Sequence, residues 1–302
     1  MTELLKGIVP AIVSPCDENG VFLQDEFAAL AESLYEQGVH GLYVCGATGD
    51  GYRMPLADRK RATEIAVGLA AKYDRIVISH VGTLSTRDSV DLARHAAQAG
   101  ANALSAMPPA NCDIQQLVNY YQDVASAAQV PLLVYYIPHL TGSALTVDEM
   151  LRLLEIEGVA GFKFSDWNLF FMKRILMARP EIVVFNGNDE LLCPGLLYGA
   201  NGGIGMNYNL FPKLFLGIYE AVNSGDVARA MELETRFIAY ADVLFTYGLR
   251  PSFETLMREQ GLAPYCFREP RQTFDEATAR EFLEAVRPKV AAIEEAVEAG
   301  GR

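Results

Sequence analysis

Between residues 7 and 205 the sequence alternates eight short apolar runs with longer stretches of helical periodicity. This alternation narrows the possible folds more than any other feature. The apolar runs read as strands at about 7–13, 40–45, 75–79, 101–106, 131–136, 158–165, 181–185 and 202–205. Helical periodicity occupies about 25–37, 55–72, 86–99, 114–128, 147–154, 169–178 and 190–197. Most units repeat at roughly 20–35 residues, the length of a strand plus its crossover helix, which requires a parallel sheet. Eight units over about 220 residues fit an α/β (β/α)8 TIM barrel, whose active site lies at the C-terminal strand ends. A doubly wound open sheet is the less common alternative, and no G-x-G-x-x-G follows the first run. Beyond Ser224-Gly225-Asp226 only helical patterns remain, at about 226–246, 251–260 and 275–299. The expected organisation is a catalytic barrel over 1–224 and a C-terminal helical appendix over 225–302.

Composition removes several function classes. Half of the 302 residues are hydrophobic, enough for a large core. A net charge of −13 argues against nucleic acid or an anionic membrane as partner, while leaving room for a locally positive pocket. The opening Met-Thr-Glu-Leu-Leu-Lys lacks the features of a signal peptide, and no apolar run has the length of a membrane span. Five scattered cysteines without a C-x-x-C pattern fit reduced thiols, and a cytoplasmic location is expected. Four histidines, His40, His80, His95 and His139, show no paired ligand spacing, so no metal is expected.

Chemistry in such a barrel collects just after the strands. Lys163 is the one lysine inside an expected strand, Gly158-Val159-Ala160-Gly161-Phe162-Lys163-Phe164-Ser165. Burial there disfavours an ammonium, and a neutral amine is a nucleophile towards ketones. The alternative is a strand-end lysine whose head reaches back to water. After the second strand, Gly46-Ala47-Thr48-Gly49-Asp50-Gly51 can form an N–H nest for a carboxylate or phosphate, or be an ordinary tight loop. Tyr135 and Tyr136 end the fifth strand, as packing or as a reactive phenol. Asn186-Gly187-Asn188-Asp189-Glu190 follows the seventh, where the carboxylates can cap a helix or hold sugar hydroxyls. Amine, phenol, anion nest and carboxylate pair fall on one rim.

At these residues the chain resembles the pyruvate-dependent class I aldolases of the dihydrodipicolinate synthase / N-acetylneuraminate lyase family. Ala47-Thr48-Gly49-Asp50 stands where that family has G-[ST]-T-G-E, and Tyr135-Tyr136-Ile137-Pro138-His139-Leu140-Thr141-Gly142 matches Y-N-[IV]-P-x-x-[ST]-G. Gly161-Phe162-Lys163-Phe164-Ser165 matches its Schiff-base strand. Phe185 to Glu190, with Gly199 to Asn209, is similar to the lyases' G-x-D-E and G-A-D-G-G-I-G-S-T-Y-N. Leu140 stands where dihydrodipicolinate synthases carry an arginine, which disfavours lysine biosynthesis. Ala47, Asp50 and Met206 depart from the usual hydroxyl residue, glutamate and serine. Met107-Pro108-Pro109-Ala110-Asn111 lacks the tyrosine often lent by a neighbouring subunit.

The resemblance implies that Lys163 forms an imine with a 2-oxo acid such as pyruvate, with no other cofactor. Tyr135, held by Thr48, would shuttle the C4-hydroxyl proton, and the Ala47–Thr48 turn would receive the carboxylate. Ser165, Gly187, Asp189, Glu190, Gly205, Met206 and His139 would set specificity, and a homotetramer is expected. The implied reaction is cleavage or formation of a 2-keto-3-deoxy sugar acid, as in N-acetylneuraminate lyase. A smaller 2-keto-3-deoxy acid is a competing substrate, since Met206 and Ala47 weaken recognition of a long polyol. A dehydratase using the same imine and a non-catalytic 2-oxo acid sensor are the other readings.

Overall fold

The computed structural model describes residues 2–299. Its eight strands are β1 (Gly7–Pro10), β2 (Gly41–Val44), β3 (Ile76–His80), β4 (Ala103–Ala106), β5 (Leu132–Tyr136), β6 (Val159–Phe164), β7 (Val183–Asn186) and β8 (Gly202–Gly205). They form one parallel sheet in the order β1-β8-β7-β6-β5-β4-β3-β2. The sheet closes where β1 returns to β2. Ala11 bridges to Tyr43, and the Ile12 N–H donates to the Tyr43 carbonyl at 3.1 Å. Around it run α1 (Gln24–Glu36), α2 (Leu56–Tyr73), α3 (Thr86–Ala99), α4 (Ile114–Ser126), the single turn α5 (Pro138–Thr141), α6 (Val147–Leu154), α7 (Leu169–Ala178), α8 (Leu192–Leu197) and α9 (Pro212–Ser224). This is the (β/α)8 barrel read from the alternation. The appendix follows as α10 (Val227–Tyr247), α11 (Leu249–Glu259) and α12 (Glu276–Ala299). Among the described residues, no helix is long and apolar enough to cross a membrane.

Strand periodicity sorts side chains into two layers. Val9, Ile78, Leu133, Tyr135, Phe185 and Ile204 fill the barrel interior. The alternate positions Val134, Phe162, Phe164 and Val184 instead pack outward beneath the helices. Helix starts are encoded locally. Asp113 with Gln116, and Thr146 with Glu149, form reciprocal capping boxes at α4 and α6. Among the boundaries that differ from the sequence reading, two have a clear local cause. Helix α11 begins at Leu249 and takes Pro251 into its first turn, where a missing N–H costs no hydrogen bond. Helix α8 begins at Leu192 after a 3-10 turn, because the preceding Asp189 carboxylate bonds Asn207 rather than capping the helix.

The appendix shares the core of the barrel. Leu233, Phe237, Tyr240 and Leu244 of α10 belong to the same apolar cluster as Leu30 and Leu34 of α1 and Phe215 of α9. A second tie is ionic. The Asp50 carboxylate, fully buried on the β2–α2 loop, accepts from Arg250 Nη2 at 2.7 Å, Arg53 Nη1 at 2.9 Å and the Arg268 N–H at 2.8 Å. The Arg250 guanidinium lies 3.9 Å from the Phe267 ring centroid. Removing one partner of a buried ion pair strands the others, at a cost of about 3–5 kcal/mol. Asp50→Ala is therefore expected to lower unfolding free energy by about 3 kcal/mol in urea titrations, while Glu232→Ala on the exposed face of α10 changes it by less than about 1 kcal/mol. Equal effects would refute the ionic tie.

Candidate active site

Alternation along β6 decides where the lysine goes. Phe162 and Phe164 face the helices, so Lys163 between them points into the barrel, where it is 4% exposed. It is in register with Tyr135 of β5 on one side and Phe185 of β7 on the other. Its Nζ donates to Ser165 Oγ at 3.1 Å and lies 4.0 Å from the Tyr135 ring centroid and 5.6 Å from that of Tyr43. Ring faces and one hydroxyl surround this head; among the described residues no carboxylate forms an ion pair with it. Gly187 makes the Ser165 contact possible, because a Cβ there would fall 2.1 Å from Ser165 Oγ.

Beneath the lysine sits an aromatic group that sequence reading passed over. The rings of Tyr43, His80 and Tyr135 meet at centroid distances of 5.9–6.1 Å. His80 Nε2 accepts from the Met107 N–H at 3.0 Å, so the proton rests on Nδ1, 3.1 Å from the Cys45 carbonyl. Burial, reinforced by the Arg59 guanidinium, holds this imidazole well below the usual histidine range. It is neutral. Tyr43 is anchored through its hydroxyl to Ser105 Oγ at 3.1 Å. No metal-ligand spacing marks His80, and only its position at the end of β3 could have suggested a role.

Lys163, Tyr135, Thr48, Ala47, Ser165, Gly187, Asp189, Glu190, Met206 and His139 all line one cavity of about 420 Å³ at the C-terminal ends of the strands. Gly205 does not. It lies behind Asp189, where a Cβ would come 2.0 Å from Asp189 Oδ1, so its role is to admit that carboxylate. The direct Thr48–Tyr135 hydrogen bond expected from the resemblance is not formed. The Tyr135 ring is oriented edge-on against Tyr43 and His80, deeper than the half-buried Thr48 loop. Among the described residues, the N–H groups of Ala47 and Thr48 donate to no protein acceptor, which leaves them available to a carboxylate.

The two acidic residues behave differently. Asp189 Oδ2 accepts from the Asn207 N–H at 2.7 Å and from its Nδ2 at 2.9 Å, while Tyr240 donates to Asn207 Oδ1 at 3.0 Å. Burial raises the Asp189 pKa, against which the Asn207 bonds act. Glu190 is pushed up to about 7, first by burial and then by the Asp189 charge. Glu234, beneath them on α10, is pushed up to about 7 by burial while accepting from the Cys193 N–H at 3.0 Å. The remaining wall comes from the appendix: Phe237, Leu244, Phe245, Leu249, Arg250 and Phe267. On α10 the spacing of Phe237 and Leu244 reads as ordinary core periodicity, which conceals the role. Among the described residues, no cluster of three or more His, Cys, Asp or Glu side chains gathers as a metal site.

The chain matches the dihydrodipicolinate synthetase family over residues 4–289. It is 35% identical over 286 residues to N-acetylneuraminate lyase of Salmonella agona, covering 91% of this chain and 94% of that one. Among solved structures it resembles the sialic acid aldolase catalytic lysine mutant of Ruminococcus gnavus, with a TM-score of 0.87, 26% identity and coverage of 97% and 99% of the two chains. It is also similar to CdNal of Clostridium difficile in complex with mannosamine, with a TM-score of 0.88, 26% identity and coverage of 94% and 99%.

A carboxyl whose folded pKa lies above its unfolded value contributes stability below the unfolded pKa and loses it as pH rises through the folded one. For Glu234 that window runs from the ordinary 4.5 to about 7. Glu234→Gln keeps an acceptor for the Cys193 N–H and removes the ionisation. It should raise unfolding free energy more at pH 8 than at pH 5, and an equal change at both would contradict the assignment.

Proposed function

The chain belongs to the dihydrodipicolinate synthetase family, and on that premise we propose that Lys163, Tyr135 and Thr48 carry out its chemistry. The enzyme is a carbon–carbon lyase, a class I pyruvate-dependent aldolase of the N-acetylneuraminate lyase type. Lys163 attacks the ketone of a 2-keto-3-deoxy acid and forms a protonated imine. That imine draws electrons from the C3–C4 bond, so cleavage leaves an enamine instead of an unstabilised carbanion. Tyr135 takes the C4-hydroxyl proton during cleavage and returns it in synthesis. The Ala47 and Thr48 N–H groups hold the substrate carboxylate. The observation that carries this assignment is the register of Tyr135 beside Lys163 inside the barrel, with Nζ 4.0 Å from the ring.

Within the same cavity, Ser165, Gly187, Glu190 and His139 face the aldehyde half of the substrate. Asp189 acts there through Asn207, whose backbone and side chain it fixes. Met206 and the occupied Asp189 favour an acid smaller than neuraminate, because a polyol tail needs free polar partners. The chemistry uses no metal and no cofactor beyond the covalent imine, and the working form is a cytoplasmic homotetramer.

Pyruvate release from a panel of 2-keto-3-deoxy acids, read through a coupled lactate dehydrogenase assay, tests the reaction. Tyr135→Phe should lower kcat by roughly 10²–10⁴-fold if the phenol is the acid–base group. Wild-type kcat in that variant would remove Tyr135 from the mechanism.

A further inference from the structure

Resting on the aldolase reading above, we propose that the aldehyde half of the substrate carries an apolar, aromatic-sized substituent that packs against Trp167 and Phe245. Isolated exposed apolar side chains are common on proteins and need no explanation. Here several converge on one place. Leu140, Trp167, Phe245 and Leu249 are 51%, 61%, 48% and 37% exposed, and all four line the cavity that holds Lys163. Trp167 and Phe245 come from different parts of the chain, the β6–α7 loop and α10, and their ring centroids lie 6.5 Å apart at 59°. Met206 lines the same cavity.

Two polar residues of the cavity wall are already engaged within the protein. Asp189 is held by Asn207. Arg250 spends its two terminal nitrogens on Asp50 and the Tyr52 hydroxyl. Desolvating a polyol against this wall would leave its hydroxyls unpaired, whereas an aromatic ring gains buried area and ring contacts. A cavity of about 420 Å³ leaves room for such a ring beyond a three-carbon acid. In the cleavage direction the C3–C4 bond of a 4-aryl-4-hydroxy-2-oxo acid breaks and its electron pair forms the enamine of the Lys163 imine. The C4 oxygen loses its proton to Tyr135 and becomes the aldehyde carbonyl. Protonation at C3 and addition of water then release pyruvate and the free amine.

The test uses the full-length enzyme with pyruvate and either benzaldehyde or glyceraldehyde, measuring kcat/KM for condensation. Benzaldehyde should be preferred at least about tenfold, and Trp167→Ala and Phe245→Ala should each lower its kcat/KM by roughly tenfold, with Trp167→Phe retaining most of it. Trp167 is the chain's single tryptophan. Its emission should therefore respond saturably to 2-oxo-4-phenylbutanoate, which forms the imine but cannot be cleaved, and not to 2-oxobutanoate. Preference for glyceraldehyde, or unchanged benzaldehyde kinetics in both alanine variants, overturns the proposal. Exchange of pyruvate methyl protons in D2O separates the two levels of the argument, because it needs only the imine and enamine. Exchange together with glyceraldehyde preference removes the apolar subsite alone; no exchange removes the aldolase assignment of Lys163 and the proposal with it.

Discussion

An amine held inside an apolar barrel with one hydroxyl for a partner is the constraint on which the rest of this structure turns. Burying a polar head with few hydrogen bonds is unfavourable, so the surroundings must be arranged to tolerate it. Ser165 Oγ supplies the bond, and the faces of Tyr135 and Tyr43 supply the remaining contact. Gly187 gives the serine its space, and neutral His80 fixes the orientation of both tyrosines without adding charge. Each of these choices follows from where the β6 pleat points one side chain.

The C-terminal helices complete that arrangement rather than standing apart from it. One tie runs from Asp50 to Arg250 and Arg268, fastening the appendix to the loop that bears Ala47 and Thr48. Another runs from Asp189 through Asn207 to the Tyr240 hydroxyl, joining the β7 and β8 loops to α10. Both ties converge on the cavity, so the carboxylate-binding turn depends on a buried carboxylate paired with residues about 200 positions away in sequence, and the aldehyde-side wall on a hydrogen-bond chain from β7 to α10.

Much of this was legible in the sequence, for identifiable reasons. Strand and helix periods are local, so the barrel and most of its boundaries follow from the alternation, as does the inward direction of Lys163 between Phe162 and Phe164. Loop motifs placed Ala47, Thr48, Tyr135, Ser165, Gly187, Glu190 and Met206 around one cavity, where they are found. What sequence could not reveal were long-range pairings. Nothing local joins Asp50 to Arg250, or Trp167 to Phe245, and the cavity-facing residues of α10 share their spacing with core positions. Gly205 was read as a substrate contact because it lies in a motif; its actual service is steric, making room for Asp189.

The central claim is covalent and can be tested as such. Incubation of the enzyme with pyruvate and borohydride, followed by peptide mass analysis, should place a single reduced pyruvyl adduct on Lys163 and on no other lysine. Recovery of unmodified Lys163 peptide from folded, pyruvate-saturated protein would contradict the account.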